Sequence, residues 1–409
     1  MPSFVIAGAS LAGAKAAETL RDEGFDGEIV LLGSEPERPY ERPPLSKGYL
    51  LGNDPRDSVF VHEQGWYAEH GIDLREGTTV TAIDRGTATL ALSGAGGDSE
   101  LPYDRLLLAT GASPRRLDPS SFPGSDREEV LYLRTIADSD RLRSAFQPGT
   151  RVVVAGAGWI GLETAAAART AECAVTVLEP QPGALHDQLG PELGAVFADL
   201  HRAHGVEFRF GEKAVEFRPG MVITSGGAEV PADILVVGIG AAPNDGLAAR
   251  AGLEIGNGVL TDDALRTSDP NIFAAGDIAN SFHPLLGRRV RVEHWANALN
   301  GGPAAARSML GQSVSYDPVP YFYSDQYDLG MECAGLPSPG TYDQVLYRGD
   351  PDPSTGLEFI AFWLSGGIVV AGMNVNVWDV NDDIQALIRS SRPVDPARLT
   401  NPEIPLTDL

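Results

Sequence analysis

The sequence predicts an α/β protein in which two parallel-sheet domains of βαβ type, one inserted in the other, precede a smaller C-terminal α+β domain. Three observations carry this reading. An apolar run, a glycine-rich turn, a helical stretch and a second apolar run open the chain; the same order returns near residue 151; and beyond about Pro320 the pattern changes to short strands and turns. Two copies of one such unit in a single chain are far less expected by chance than one.

The first unit runs from the strand Phe4-Val5-Ile6-Ala7 through a turn at 8–13 into a helix over 11–23, then returns as a strand over 28–32. A buried strand, Leu106-Leu107-Leu108, ends in Ala109-Thr110-Gly111. Pro- and Gly-rich stretches at 111–124 and 238–244 bracket the second unit, which therefore reads as an insertion. That unit has a strand over 151–155, a turn over 156–161, a helix to about Ala171 and a strand over 174–178. The first domain resumes after about Asp245 and includes Ile272-Phe273-Ala274-Ala275-Gly276-Asp277, a strand expected to end in Gly-Asp. The C-terminal part holds strands at 357–364 and 368–376 about the turn Ser365-Gly366-Gly367, then an acidic-started helix at 379–389; 351–354 reads as a turn and the extreme C-terminus as loosely ordered. The expected domains are 1–112 together with 245–320, then 113–244, and 321–409.

Composition narrows the function. In 409 residues, 31 Lys and Arg face 56 Asp and Glu, and a net charge of −25 argues against a nucleic-acid or anionic-membrane partner without a strong local basic patch. The two cysteines, Cys173 and Cys333, have neither C-x-x-C nor metal-ligand spacing, so no disulfide framework, metal site or dithiol centre is expected. The first strand begins almost at the initiator methionine, no signal peptide is visible and no run of 18 apolar residues occurs, so a cytoplasmic, soluble protein is expected.

Gly156-Ala157-Gly158-Trp159-Ile160-Gly161 is a complete G-x-G-x-x-G between a strand and a helix, and Glu179 closes the next strand 23 residues after Gly156. Glycines there let the chain turn tightly and approach a pyrophosphate seated on the helix N-terminus, while the carboxylate accepts from a ribose diol. Glu179 would repel a 2′-phosphate and Pro180-Gln181-Pro182-Gly183 offers no arginine to bind one, so NADH is expected rather than NADPH. The first copy, Gly8-Ala9-Ser10-Leu11-Ala12-Gly13 with Glu35 after its second strand, has serine at the middle glycine, small enough for a pyrophosphate still to approach. The pair Gly276-Asp277 adds a carboxylate able to accept from a polyhydroxylated chain such as a flavin ribityl.

Together these nucleotide folds, the A-T-G strand and the late G-D resemble the glutathione-reductase-like two-dinucleotide flavoproteins, whose first unit holds FAD and whose second holds the nicotinamide. Four further segments are similar to the ferredoxin reductases of bacterial monooxygenase and dioxygenase systems: Arg38-Pro39-Tyr40-Glu41-Arg42-Pro43-Pro44-Leu45-Ser46-Lys47, Gly161-Leu162-Glu163, Val292-Glu293-His294-Trp295-Ala296-Asn297-Ala298, and Tyr321-Phe322-Tyr323-Ser324-Asp325-Gln326-Tyr327. The likeness spans essentially the whole chain. It implies non-covalent FAD held by Gly8, Ser10, Leu11, Ala12, Gly13, Glu35, Arg42, Lys47, Ala109, Thr110, Gly111, Gly276, Asp277, Glu293, His294, Trp295 and Tyr323. It implies NADH held by Gly156, Gly158, Ile160, Gly161, Glu163, Glu179 and Gly240, with Lys47 and Glu163 as the catalytic pair. The implied acceptor is a small iron–sulfur ferredoxin of the 2Fe-2S type that serves an oxygenase.

Departures and rivals follow from the same residues. No cysteine precedes position 173, which excludes the dithiol and sulfenate chemistry of relatives with a reactive cysteine beside the flavin. Tyr323 stands where the family usually has tryptophan, and Gly183 where an arginine would help clamp the nicotinamide dinucleotide. A rubredoxin or small-radical reductase, and an NADH-sensing flavoprotein of the apoptosis-inducing-factor kind, remain as alternatives. Residues 321–409 carry 13 acidic residues against 4 arginines, a balance of −9, so an acidic ferredoxin would need local arginines; Arg288, Arg289 and Arg291 are the candidates, the last two expected on one strand face.

Overall fold

The computed structural model describes residues 1–352 and 356–409; Pro353 and Ser354 of the expected turn at 351–354 lie outside the described residues. The chain divides into two compact units, one of residues 1–42, 55–113 and 241–320, the other of 43–54, 114–240 and 321–409.

The first unit is organised by a parallel sheet in the order Ile272–Ala274, Arg105–Leu108, Ser3–Ala7, Glu28–Leu32, Ile72–Arg75. Its central strands read as unbroken apolar runs because both faces are covered, and Val5, Ile6, Val30, Leu31, Leu106 and Leu107 are all fully buried. The helix Leu11–Asp22 follows the first strand and is rich in alanine, which lets the helix Trp295–Met309 cross it closely. At that crossing a Cβ on Gly302 would lie 2.2 Å from the carbonyl oxygen of Ala12, so the contact requires glycine. An antiparallel hairpin pairs Ala279–His283 with Arg288–Arg291.

The second unit repeats the plan with a parallel sheet in the order Glu207–Phe210, Ala174–Glu179, Arg151–Ala155, Ile234–Val237, Val130–Leu131. The helix Trp159–Thr170 connects the strands Arg151–Ala155 and Ala174–Glu179. Residues from 321 on form a five-stranded antiparallel sheet, Tyr321–Gln326, Leu329–Gly335, Ile368–Val375, Phe359–Ser365, Gln344–Gly349, backed by the helix Asn381–Ser390. The expected α/β class with a C-terminal α+β part therefore holds. Residues 43–54 are tied to the second unit by specific bonds: Ser139 donates to the Leu45 carbonyl at 2.8 Å and Tyr49 to Asp140 at 2.7 Å.

Two local expectations need correction. The strand expected to run into Gly-Asp stops at Ala274, and Gly276–Ile278 is a single 3-10 turn with Gly276 at φ +76°, a left-handed conformation that turns the chain out of the sheet. Arg289 and Arg291 do share a strand face, but Arg291 is no free cation, because it is held in an ion pair. Arg289 donates to the carbonyls of Thr261 and Asn280, while Arg291 donates to the Asp277 carbonyl at 3.1 Å and pairs with Glu293, leaving its side chain 10% exposed. Of the three, Arg288 and Arg289 are exposed to solvent and Arg291 is not.

Candidate functional site

The two glycine turns are the same device built twice. Gly8 and Gly156 adopt φ +127° and +104°, donate their N–H to Leu32 and Leu178 at 2.8 Å, and have no room for a side chain: an added Cβ would meet the Ala109 carbonyl oxygen at 2.1 Å and that of Gly238 at 2.3 Å. Gly13 and Gly161 allow the helix to lie against the turn, since a Cβ on either would come within 2.0 Å of the Gly8 or Gly156 carbonyl oxygen. These four glycines are demanded by the protein's own packing.

The middle position is different. Gly158 has φ −81°, open to any residue, and a Cβ there would meet nothing within 4 Å. Ser10 takes the same extended N-cap position in the first copy, with φ −121° and no capping bond from its hydroxyl. Packing thus leaves Gly158 unexplained, whereas a ligand approaching the helix N-terminus needs that space clear. The residues fit a pyrophosphate.

Around the first turn lies a cavity of about 260 Å³ lined by Gly8, Ser10, Glu35, Arg42, Ala109 and Thr110 among the expected residues. The Glu35 carboxylate accepts from Arg42 at 2.8 Å and from the Tyr40 hydroxyl, and the Arg42 guanidinium also donates to the Tyr40 oxygen at 2.9 Å. Burial and the Glu35 carboxylate push the Tyr40 phenol well above its ordinary range. Sequence reasoning missed Asn244, which also lines the cavity and donates to the Thr110 carbonyl at 2.8 Å while its backbone N–H bonds Gly111. It stood within the Gly-rich bracket at 238–244 and could have been found there as the polar residue ending the segment.

Leu11, Ala12 and Gly13 form the first helical turn, and Gly276 is close enough that its Cβ would sit 3.2 Å from that of Ala12. His294 N-caps the helix begun by Trp295, and burial lowers its imidazole to about 4 despite the opposing pull of Asp277, so it is neutral at pH 7. The Trp295 indole donates to Glu41 at 3.1 Å, and Glu293 is the partner of Arg291.

In the second unit Glu179 curls over its turn: one carboxylate oxygen accepts from the Ala157 N–H at 2.7 Å and the other from the Gln181 N–H at 2.8 Å. Ile160 is left 44% exposed beside Gly158, and Gly240, at φ +94°, accepts from the Arg115 N–H. Glu163 lies past the first helical turn, because the helix starts at Trp159, and is only 4% exposed. It is therefore no solvated helix-start acid. Its Oε1 accepts from the Lys47 ammonium at 2.8 Å and from the Ser324 hydroxyl at 2.7 Å, and its Oε2 from the Ser46 hydroxyl. Lys47 Nζ also stands 5.5 Å from the centre of the Tyr323 ring. Both serine donors belong to segments singled out above, yet neither was recognised as a partner of Glu163.

The cysteines take no part in either turn. Both are free and buried, and burial raises both thiols.

Two dinucleotide turns on paired parallel-sheet folds define a class, and residues 2–302 match the pyridine nucleotide-disulphide oxidoreductase family while residues 321–409 match the reductase C-terminal family; the chain belongs to the first of these with the second appended. Among individual proteins, it is 40% identical over 410 residues to the ferredoxin–NAD(+) reductase component of the anthranilate 1,2-dioxygenase system of Burkholderia cepacia, covering 98% of each chain. It is 36% identical over 417 residues to putidaredoxin reductase of Pseudomonas putida, covering 100% of this chain and 96% of that one. The crystal structure of the covalent putidaredoxin reductase–putidaredoxin complex aligns with a TM-score of 0.93 at 36% identity, covering 100% of this chain and 97% of the other.

Proposed function

We propose that the protein is an FAD-dependent NADH:ferredoxin reductase that supplies electrons to an oxygenase through a 2Fe-2S ferredoxin in the cytoplasm. Gly158 carries the reading: it is the one glycine of its turn that neither packing nor backbone conformation demands, so its missing side chain is accounted for by a dinucleotide.

The backbone of Gly8, Ser10 and Gly13 would receive the FAD pyrophosphate, with Glu35 and Arg42 on the adenosine side and Asp277 toward the ribityl hydroxyls. The Gly156–Gly161 turn would receive that of NADH, with Glu179 accepting from the ribose. When bound, FAD supplies the conversion between a hydride and two single electrons. The chain's own part is to bind, orient and polarise. Helix Trp159–Thr170 carries the nucleotide turn at one end and Glu163 one turn further on, so Glu163 would hold the Lys47 ammonium in a fixed place relative to a nucleotide bound at that turn. A fixed cation there favours transfer of negative charge without reorganising.

Steady-state assays with NADH separate the acceptors. Reduction of a 2Fe-2S ferredoxin should far exceed reduction of rubredoxin, and ferricyanide should report flavin reduction alone. Turnover with rubredoxin equal to that with the ferredoxin, or none with either while ferricyanide is reduced, would count against the proposal.

A further inference from the structure

Glu163 is one end of a buried hydrogen-bond chain whose other members have no part in the reaction described above. Its carboxylate, ion-paired with Lys47, only accepts, so Ser324 must donate its single hydroxyl proton at 2.7 Å. The Ser324 oxygen is then the acceptor for the Gln326 amide Nε2 at 3.1 Å. Gln326 has only its carbonyl oxygen left for His201, whose Nε2 lies 2.8 Å away and must therefore carry the proton. The unprotonated Nδ1 accepts from the Tyr327 hydroxyl at 3.2 Å. Every link points toward Glu163. Ser324 and Gln326 are each 1% exposed and His201 is fully buried, so water offers these groups no alternative partners.

The elements explain the arrangement. Strand Tyr321–Gln326 puts residues 324 and 326 on one face, toward Glu163 and toward His201 of helix Pro191–Ala203. Burial lowers the His201 imidazole to about 4, in keeping with a neutral ring whose Nδ1 accepts.

We propose that Ser324, Gln326 and His201 are positioning residues of the Lys47–Glu163 pair, a one-directional relay that fixes which way the Glu163 carboxylate, and with it the Lys47 ammonium, points. Its effect on hydride transfer rests on the function proposed above; the relay itself does not.

The test uses the full-length, FAD-loaded protein and two readouts. In 15N–1H spectra of the imidazoles, His201 should carry its proton on Nε2 alone; Ser324→Ala frees the Gln326 amide to flip and should give mixed tautomers, and Ser324→Thr should restore the single one. In stopped flow at saturating NADH, Ser324→Ala and Gln326→Leu should each slow flavin reduction by about 3- to 10-fold, the scale of one buried hydrogen bond. NADH affinity should stay as in the wild type, the double variant should be no slower than the slower single, and Ser324→Thr should recover the rate. Should Gln326→Leu fail to fold, Ser324→Ala, which removes one hydroxyl, still decides the matter. A single His201 tautomer in Ser324→Ala, or an unchanged reduction rate, overturns the relay. If NADH does not reduce the wild-type flavin at all, the proposed function fails, and the tautomers still judge the relay.

Discussion

The Glu179 carboxylate accepts the backbone N–H of Ala157 at 2.7 Å, so the residue expected to read the ribose also braces the turn that receives the pyrophosphate. Nucleotide choice and turn geometry are thereby joined. The wild type should prefer NADH over NADPH by about 100-fold or more in kcat/KM, from repulsion of a 2′-phosphate. Glu179→Ala with Gln181→Arg should narrow that preference but also raise the KM for NADH, because the Ala157 N–H loses its acceptor. Equal use of both nucleotides by the wild type would show that Glu179 does not discriminate.

Gly158→Ser makes the second turn resemble the first. With nothing within 4 Å of the added Cβ and a good N-cap residue installed, stability should change by less than about 1 kcal/mol. The KM for NADH should rise several-fold while FAD content is unaltered. Gly161→Ala, whose Cβ would lie 2.0 Å from the Gly156 carbonyl oxygen, should instead lower the melting temperature. The pair of variants separates a ligand-demanded glycine from a packing-demanded one.

Lys47→Met leaves a buried carboxylate with two hydroxyl donors in place of two hydroxyls and an ammonium. Loss of stability on the order of 3 kcal/mol is expected, together with flavin reduction by NADH slowed at least about 10-fold and FAD retained. Unaltered hydride transfer would remove Lys47 from the reaction.

His201 and His294 are both neutral when folded, each lowered to about 4 by burial. Unfolding raises them toward 6.5, so between those values the unfolded chain binds more protons. Their contribution is therefore complete above pH 6.5 and is lost as pH falls toward 4, on the order of 3 kcal/mol for each. Urea titrations from pH 7.5 to 4.5 should show this fall, and His201→Gln should make it shallower. A variant with the wild-type slope would mean that His201 titrates in the folded protein as it does in the unfolded one.

Arg288 and Arg291 should behave oppositely. Arg291 is tied to Asp277 and Glu293, so Arg291→Ala should lower the melting temperature and affect every acceptor alike. Exposed Arg288 is free to meet an acidic ferredoxin, and Arg288→Glu should raise the KM for the ferredoxin with ferricyanide reduction unaltered. If both acceptors respond equally to Arg288→Glu, docking lies elsewhere.

By itself the sequence determined the two βαβ units, the α/β class and the dinucleotide turns. Strand and helix periods are local patterns, and Gly8 and Gly156 answer backbone conformations that other residues rarely adopt. Tertiary structure alone decided which hydroxyls join Lys47 in holding Glu163. Ser46 and Ser324 lie 117 and 161 residues away along the chain, and no spacing rule links a loop before one helix to a strand of the last sheet. It likewise turned Arg291 from a docking candidate into a brace, since a guanidinium on an exposed-looking strand is drawn to whichever unmet carbonyl and carboxylate the fold brings near. Elements follow from neighbours in sequence, whereas the partners of a buried charge follow from which distant groups exclude water together.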